Sequence, residues 1–306
     1  MRNNIPDVIH THLFFGCGLE ALSAAKHLHL PLVGTSHTPI TEFVRLNFFG
    51  KNLLQKIGLD FVSWFYNKCD FVSAPSQGIL DEMKLSGFNK PSEIISNPID
   101  IRNFTPVSFE NKSNLKKELG LDENVILVSG RLAPEKNIDV IFKALEPVKK
   151  IFPSVSLAIT GHGSFENNLR VMAKQMNLEN NIKFFGTVDE HTLIKIYQAS
   201  DIYAIASTAE TQSMSLIKAF AAGLPAIGVN ARALPEYIND SNGYIVEIGD
   251  STAIADKIIY LLKNKQICAM LGAGGNRLAQ DFSEEKIADK WERIYGQILK
   301  KDINGY

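Results

Sequence analysis

The sequence lacks the long apolar runs and the charge excess that mark membrane-spanning and nucleic-acid-binding proteins. No run approaches the roughly 18 apolar residues of a spanning helix. The net charge is −1 over 306 residues, so no overall field attracts nucleic acid, and we expect no such partner. With 45% hydrophobic and 21% charged residues and a mean hydropathy of −0.02, the composition suits a globular protein with two domains.

Cysteine is scarce as well. Cys17, Cys69 and Cys268 are far apart and form no Cys-x-x-Cys pair, which argues against a disulfide framework or a zinc site and favours a reducing compartment. The first residues show no apolar segment typical of a signal peptide. We therefore expect a cytoplasmic protein, with a peripheral position at the inner face of the membrane as the further option.

What the sequence does contain is a regular alternation of short β-rich runs with helical patterns. This alternation is typical of an α/β protein whose parallel sheets carry helices on both faces. Four predicted strands precede a break and six follow it. They are Val8–His10, Leu32–Thr35, Phe71–Ala74, Glu93–Ser96, Val125–Ser129, Leu157–Thr160, Ile182–Phe185, Ile202–Ala206, Ala226–Val229 and Tyr244–Val246.

The break is the stretch "SNPIDIRNFTPVSFENKSN", which we interpret as a linker near Asn97–Ser113 because it holds two prolines and little periodicity. We predict an N-terminal domain at residues 1–105, a C-terminal ligand-binding domain at 106–282, and a last helix at 283–306 that packs back across the domains. Ligands of such sheets bind beyond the carboxyl ends of the strands. The expected site is therefore a cleft that these ends line.

The segment "GRLAPEKNID" follows a predicted strand. Gly130 lets the chain turn, Arg131 leaves the strand end, and Lys136 stands at the start of the next helix. Two cations beside a helix N-terminus are suited to a pyrophosphate. The alternative is a pair of solvated cations beside Glu135.

Two further glycine turns follow strands. Gly161 and Gly163 in "ITGHGSF" repeat the strand–turn–helix pattern, and Gly186 in "FFGTVDE" could let the backbone approach a flat base. Tight βα turns explain both patterns equally well, and for Gly186 alone we favour the turn.

The segment "STAETQSMSL" places a carboxylate, Glu210, before a predicted helix. The backbone N–H groups of Gln212, Ser213 and Met214 can face an anion. Glu210 would repel phosphate but can accept hydrogen bonds from sugar hydroxyls, which suggests a ligand that is part phosphate and part polyol. The alternative role for Glu210 is a helix cap.

Two other features have competing interpretations. His10 and His12 lie on one face of a strand end and could share a metal. No third ligand is evident, so we favour polar residues that line the cleft. Residues 43–68 are rich in aromatic and basic side chains and could contact a membrane surface. A helix buried against the sheet is the preferred alternative.

The motifs "GRLAPEKNIDVIFKAL", "ITGHGSFENNL", "FFGTVDEHTLIKIYQASDIYAIAS" and "AETQSMSLIKAFAAGLPAI" resemble, in order and spacing, the C-terminal domain of the group 1 glycosyltransferases (family 4, GT-B fold). "PDVIHTHLFFGCGLEALSAAKHLHLPLVGTSHT" resembles the later part of their N-terminal domain. The "ETQ", "HTH" and "SHT" stretches resemble the branch that glucosylates diacylglycerol. The chain resembles a family member with a shortened, incomplete N-terminal domain.

This resemblance implies a metal-independent transfer of a hexose, with retained anomeric configuration, from a UDP- or GDP-sugar to a lipid or glycan hydroxyl. No cofactor is implied, and the sequence holds no Asp-x-Asp triplet to bind a cation. Arg131 and Lys136 would bind the diphosphate, and Glu210 and His37 would hold the donor sugar. These four are the implied catalytic residues. The wider donor site would comprise Gly130, Gly161, Gly186, Val188, Gln212, Ser213, Met214 and Lys218.

The donor motif departs from the family at two positions. Lys218 replaces a glutamate that accepts two hydrogen bonds from ribose, and lysine has no acceptor capacity. Ser213 replaces a glycine, and its Cβ would crowd the donor. These departures and the short N-terminus leave two alternatives to a glycosyltransferase. One is an impaired remnant that retains only nucleotide-sugar binding, and the other is one half of a split enzyme.

Overall fold

A computed structural model describes residues 6–38 and 52–303, with the side chains of 52–55 and 301–303 left aside. The chain forms two compact units. One comprises Met1–Pro98 with Glu285–Tyr306, and the other comprises Ile99–Glu284. We call them the N-terminal and C-terminal units. The first nine residues of the aromatic segment at 43–68 lie outside the described residues.

The N-terminal unit contains a parallel sheet with the strand order β1-β2-β3-β4 in its described part. Helices connect successive strands, as parallel pairing requires. The strands are β1 (Ile9–Thr11), β2 (Leu32–Thr35), β3 (Phe71–Ala74) and β4 (Ser92–Ile94), and the connecting helices are α1 (Cys17–Leu28), α2 (Asn52–Tyr66) and α3 (Gln77–Leu85).

The C-terminal unit contains a six-stranded parallel sheet in the order β10-β9-β8-β5-β6-β7. The chain runs outward from β5 to β7, crosses back, and continues outward from β8 on the other side of β5. Its strands are β5 (Asn124–Ser129), β6 (Val155–Thr160), β7 (Ile182–Gly186), β8 (Ile202–Ile205), β9 (Ala226–Val229) and β10 (Gly243–Val246). The point where the direction reverses, between β5 and β8, is where such sheets bind ligands.

Helices cover this second sheet. One helix that packs on it, α5 (Ile138–Ile151), shows why the sequence folds so. In α5 the residues Ile138, Ile141, Leu145 and Val148 recur at helical spacing and are all buried. The helices of this unit are α4 (Phe109–Glu118), α5 (Ile138–Ile151), α6 (Glu166–Gln175), α7 (Glu190–Ala199), α8 (Met214–Ala221), α9 (Leu234–Tyr237), α10 (Ser251–Lys263) and α11 (Lys265–Ala279). The next helix, α12 (Glu284–Ile303), belongs from Glu285 onward to the N-terminal unit.

The predicted α/β class, with four strands and then six in the described residues, is confirmed. The predicted linker was wrong at its end, because α4 begins at Phe109 within it. The cause is a local cap: the hydroxyl of Ser108 accepts a hydrogen bond from the backbone N–H of Asn111 at 3.3 Å, which stabilises a helix start. Strands β1 and β4 are each displaced by one or two residues from the prediction.

Helix α12 returns to the N-terminal sheet. Its Ile287 and Ile294 are buried in one cluster with Val33, Phe71 and Ile95 of that unit. The last helix of the chain therefore supplies one side of the N-terminal core. Helix α12 carries many charged residues but is amphipathic, so its apolar side can be buried against this core.

We predict that Ile294→Ala lowers the free energy of unfolding of the N-terminal unit by about 2–5 kcal/mol, since it removes a fully buried side chain. Urea unfolding followed by tryptophan fluorescence measures this unit selectively, because Trp64 and Trp291 both lie in it and are the two tryptophans of the sequence. The control is Gln297→Ala on an exposed position of α12, with an expected effect within about 0.5 kcal/mol. Equal effects of the two variants would contradict the packing.

Candidate donor-binding site

A pocket opens at the carboxyl ends of β5 and β8, at the point where the strand order reverses. Its floor is apolar and its mouth carries charged side chains, which is a common arrangement of ligand pockets. All of its lining residues belong to the C-terminal unit. They are Val128, Ser129, Gly130, Arg131, Lys136, Ile138, Ile141, Tyr203, Ala204, Ile205, Ala206, Ser207 and Glu210.

The central contact of the pocket is an ion pair between Lys136 and Glu210. Their Nζ and Oε1 atoms are 2.5 Å apart, although 74 residues separate them in the sequence. The side chains retain 23% and 12% exposure. Each partner therefore offsets much of the cost of burying the other. The structure brings these two predicted site residues together.

Arg131 lies at the mouth of the same pocket and pairs with Glu135. The guanidinium Nη2 is 2.6 Å from Oε1 of Glu135, and the arginine side chain is 71% exposed. The structure thus shows Arg131 as an exposed cation beside Glu135, as the alternative interpretation of the sequence predicts for this residue. An exposed pair of this kind contributes only about 0–1 kcal/mol, so a more highly charged partner can displace Glu135.

Hydrogen bonds join the loop after β5 to the loop after β8. The backbone N–H of Thr208 donates to the carbonyl of Glu135 at 3.0 Å, and the side-chain amide of Asn137 donates to the carbonyl of Ala206 at 3.1 Å. Asn137 adopts a left-handed conformation, with φ at 47°, which asparagine tolerates better than most residues. The sequence analysis missed Asn137, and an asparagine directly before a helix was the signal available for it.

The predicted glycines stand at the ends of three adjacent strands. Gly130, Gly161 and Gly186 have φ values of 141°, 110° and 66°, in the region that favours glycine. A Cβ on Gly161 would lie 1.9 Å from the carbonyl oxygen of Gly130, and one on Gly163 would lie 2.1 Å from the carbonyl oxygen of Leu132. These glycines therefore allow the loops after β5 and β6 to pack backbone against backbone. Of the three strand-end glycines, Gly130 lines the pocket.

The start of α8 has a cap that the sequence analysis missed. Ser213 is the cap, because its hydroxyl accepts a hydrogen bond from the backbone N–H of Leu216 at 3.3 Å and the helix begins at Met214. The alternative that Glu210 caps this helix was therefore wrong, since Glu210 pairs with Lys136 instead. Ser213 is 2% exposed, so its side chain supports the helix start rather than reaching into solvent.

The predicted donor-site residues Gln212, Met214, Val188 and Lys218 are not among the residues that line this pocket. Gln212 is buried and Met214 is 44% exposed. Val188 is partly buried against the core. The ammonium of Lys218 lies 5.0 Å from the ring centroid of Phe104, a cation–π contact. The roles of these residues stay predictions.

His37, the fourth implied catalytic residue, lies in the N-terminal unit beside His12. The Nε2 atom of His37 is 2.8 Å from Nδ1 of His12, so the two rings meet edge to edge, with centroids 5.1 Å apart. The ring of His10 stacks on that of His12 with centroids 4.5 Å apart. Burial, and then the nearby rings of His12 and His37, lower the pKa of His10 to about 4.

Metal binding finds no support in the described residues, where no group of three histidine, cysteine or acidic side chains could hold an ion. His10 instead contacts Tyr295 and Thr35 through its two ring nitrogens. The part of the chain that the structure describes also contains no helix long and apolar enough to cross a membrane.

Together, the fold and the pocket define a doubly wound α/β protein whose ligand site combines two cations with a carboxylate at the reversal point of a parallel sheet. Comparison with known families identifies it further. The family Glycosyl transferases group 1 matches residues 110–277, and the family Glycosyltransferase Family 4 matches residues 1–103. The chain belongs to the group 1 glycosyl transferases.

Curated relatives agree with this assignment. The chain is 25% identical over 311 residues to an alpha-monoglucosyldiacylglycerol synthase from Acholeplasma laidlawii, covering 99% of this chain and 78% of that protein. It is 27% identical over 238 residues to the synthase of the same name from Streptococcus pneumoniae, covering 76% of this chain and 54% of that protein. The chain therefore spans about half of the second relative's length.

Solved structures show the GT-B fold. HepE from Anabaena, solved in complex with UDP, superposes with a TM-score of 0.82 at 22% identity, covering 95% of this chain and 79% of that chain. The sucrose-phosphate synthase from Thermosynechococcus elongatus superposes with a TM-score of 0.79 at 20% identity, covering 96% of this chain and 74% of that chain.

We predict that acid destabilises the N-terminal unit through His10. The unfolded chain binds a proton near pH 6.5, whereas the folded chain does so only near pH 4. Between these values the unfolded state holds more protons, so the free energy of unfolding falls as pH falls, by up to about 1.4 kcal/mol per pH unit. Urea unfolding followed by tryptophan fluorescence at pH 7 and pH 5 measures the change.

The matched variant is His10→Gln, which keeps polar atoms but does not titrate in this range. It should lose much of the slope between pH 6.5 and 4, even if its stability at pH 7 is lower. The same slope in both proteins would show that His10 does not hold the low pKa.

Proposed function

We propose that this chain transfers a hexose from a nucleotide sugar, in its UDP or GDP form, to a hydroxyl of a lipid or glycan acceptor, with retention of the anomeric configuration and without a metal. The observation that carries the proposal is the Lys136–Glu210 pair beside Arg131 at the reversal point of the sheet. The relatives' names support it, since they include a glucosyldiacylglycerol synthase, and a structural neighbour was solved with UDP.

The charges suit the two halves of such a donor. Arg131 and Lys136 can donate charge-assisted hydrogen bonds to the diphosphate, and Glu210 can accept hydrogen bonds from the sugar hydroxyls. During transfer, the bond from the anomeric carbon to the diphosphate oxygen breaks and a bond to the acceptor oxygen forms. The acceptor proton passes to the departing phosphate. The two cations neutralise the charge that develops on the leaving group, which is the task a metal performs elsewhere.

The proposal of a lipid acceptor, and of a position at the inner face of the membrane, is based on helix α2. This helix buries Val62, Phe65 and Tyr66 in the N-terminal core, as the buried-helix alternative requires. Its outer face still exposes Ile57 by 53% and Trp64 by 44%. We therefore extend the proposal to a peripheral contact of this face with lipid.

A second candidate function is binding of a nucleotide sugar without efficient transfer, in a remnant or one half of a split enzyme. Lys218 favours it. A donor-only side chain stands where the family resemblance implies a ribose acceptor, and in the structure it is held over the Phe104 ring.

We predict that the chain binds UDP with equal affinity in the presence of Mg²⁺ and of EDTA. Arg131→Ala and Lys136→Ala should each weaken binding by roughly 10- to 150-fold, because each removes a charge-assisted hydrogen bond worth about 1.5–3 kcal/mol. Calorimetric titration with UDP, UDP-glucose and GDP measures this. The control is Lys143→Ala, an exposed lysine of α5 that pairs with Asp139. Binding that needs Mg²⁺, or that survives both pocket substitutions, would overturn the site.

We also predict that Lys218→Glu tightens UDP binding by about ten- to hundredfold, because it restores acceptors for ribose hydroxyls that would otherwise remain unpaired at a cost of about 1–3 kcal/mol. Lys218→Met is the matched variant, since it covers the Phe104 ring without adding an acceptor, and its affinity should not rise. Weaker binding of the glutamate variant would identify Lys218 as an adapted ligand. Unchanged binding would place residue 218 outside the donor pocket.

A further inference from the structure

The N-terminal unit contains a cluster of three histidine rings at the carboxyl edge of its sheet. His10 lies in β1 opposite Val33 of β2, His12 follows β1, and His37 follows β2. Parallel pairing brings both strand ends to the same edge, so residues 25 apart in the sequence meet. The ring of His10 stacks on that of His12 with a centroid separation of 4.5 Å, whereas the rings of His12 and His37 meet edge to edge through their nitrogens, with centroids 5.1 Å apart.

Side chains from two other elements hold the His10 ring of the cluster. The Nε2 atom of His10 is 2.7 Å from Oγ1 of Thr35, which in turn is 2.7 Å from Oγ of Ser73. Its Nδ1 atom is 2.7 Å from the hydroxyl of Tyr295 on α12. Both nitrogens of His10 are therefore occupied, and the ring forms a fixed base on which His12 stacks.

The outer two rings share one hydrogen bond, between Nδ1 of His12 and Nε2 of His37 at 2.8 Å. A neutral imidazole has one N–H and one bare nitrogen, so one of these rings donates and the other accepts. If His37 donates from Nε2, both rings carry their hydrogen on Nε2, which is the form that a free histidine side chain prefers. Nδ1 of His37 is then a bare acceptor. His37 is only partly buried.

Electrostatics favour neutral rings here. Burial lowers the pKa of His12 and of His37, and the neighbouring His12 lowers that of His37 further. Among the described residues, the hydroxyls of Tyr295 on α12 and Thr35 on β2 contact the cluster through His10, and none of the three rings pairs with a carboxylate. Neutral rings are compatible with the N–H···N bond, whereas a proton added to each of His12 and His37 would break it.

We propose that His12 is a positioning residue that fixes the ring and the tautomer of His37, so that Nδ1 of His37 is the atom that accepts a hydrogen bond from a ligand hydroxyl. The assignment of that hydroxyl to the donor sugar rests on the proposed function. The positioning itself is a property of the N-terminal unit and can be tested without any ligand.

The first test is the tautomer of His37, measured by ¹⁵N-detected long-range correlation NMR at pH 7.5 on the full chain. We expect the wild-type protein to show a single, fixed Nε2–H form of His37. His12→Phe keeps a flat ring for stacking but removes the acceptor, and His37 should then average between its two tautomers. His12→Asn places an amide oxygen near the former Nδ1 and should restore the single form.

The second test separates this proposal from the proposed function. Calorimetric titrations should show that His12→Phe weakens UDP-glucose binding about fivefold and leaves UDP binding unchanged, since the effect concerns the sugar. His27→Gln, an exposed histidine on α1, is the control and should change neither the tautomer nor the affinity. Tryptophan fluorescence of the N-terminal unit verifies that each variant is folded.

The outcomes are distinct. If wild-type and His12→Phe proteins show the same His37 tautomer, or if His37 carries its hydrogen on Nδ1 in the wild type, the positioning proposal is overturned. If the tautomer behaves as expected but the wild-type protein binds neither UDP nor UDP-glucose, the proposed function fails and the positioning role stands.

Discussion

The parallel pairing of β5 with β8 is the constraint on which the candidate site depends. Because the chain reverses its direction across the sheet at this point, two loops that are far apart in sequence leave the sheet side by side with no helix between them. Lys136 follows β5 and Glu210 follows β8, and they meet at 2.5 Å. Neither charge could be largely buried alone at a tolerable cost. The topology thus makes the ion pair possible, and the ion pair stabilises the junction of the loops.

The pocket is electrically balanced, since each of the two cations that line it has a carboxylate partner. These pairs are not equivalent. Arg131 is 71% exposed and its contact with Glu135 is weak in water, whereas Lys136 and Glu210 are shielded from solvent. On the proposed function, a diphosphate would draw Arg131 away from Glu135, while Lys136 could stay with Glu210 and donate its remaining hydrogens to the ligand. The proposed binding would then be an exchange of partners at one cation and an addition at the other.

Much of the fold, and the position of the candidate site, could be predicted from the sequence because both depend on local sequence patterns. Buried parallel strands are apolar throughout, so β2, β3 and β9 were predicted at their observed bounds, and the residues directly after β5 and β8 were the natural candidates for a site. Side-chain contacts that depend on packing could not be predicted. Tyr295 reaches His10 from 285 residues away because α12 returns to the N-terminal sheet, and no pattern near either residue indicates this contact.

The two units differ in the chemistry of their polar clusters. The C-terminal pocket presents full charges, each of which has a carboxylate partner. The N-terminal histidine cluster has no carboxylate partner among the described residues, and burial lowers the pKa of all three rings. A charged ring there would lose its hydration without an ion to compensate it, so the rings are neutral near pH 7. Neutrality also leaves a bare nitrogen on each ring, and the burial that suppresses the charge therefore preserves the hydrogen bond between His12 and His37.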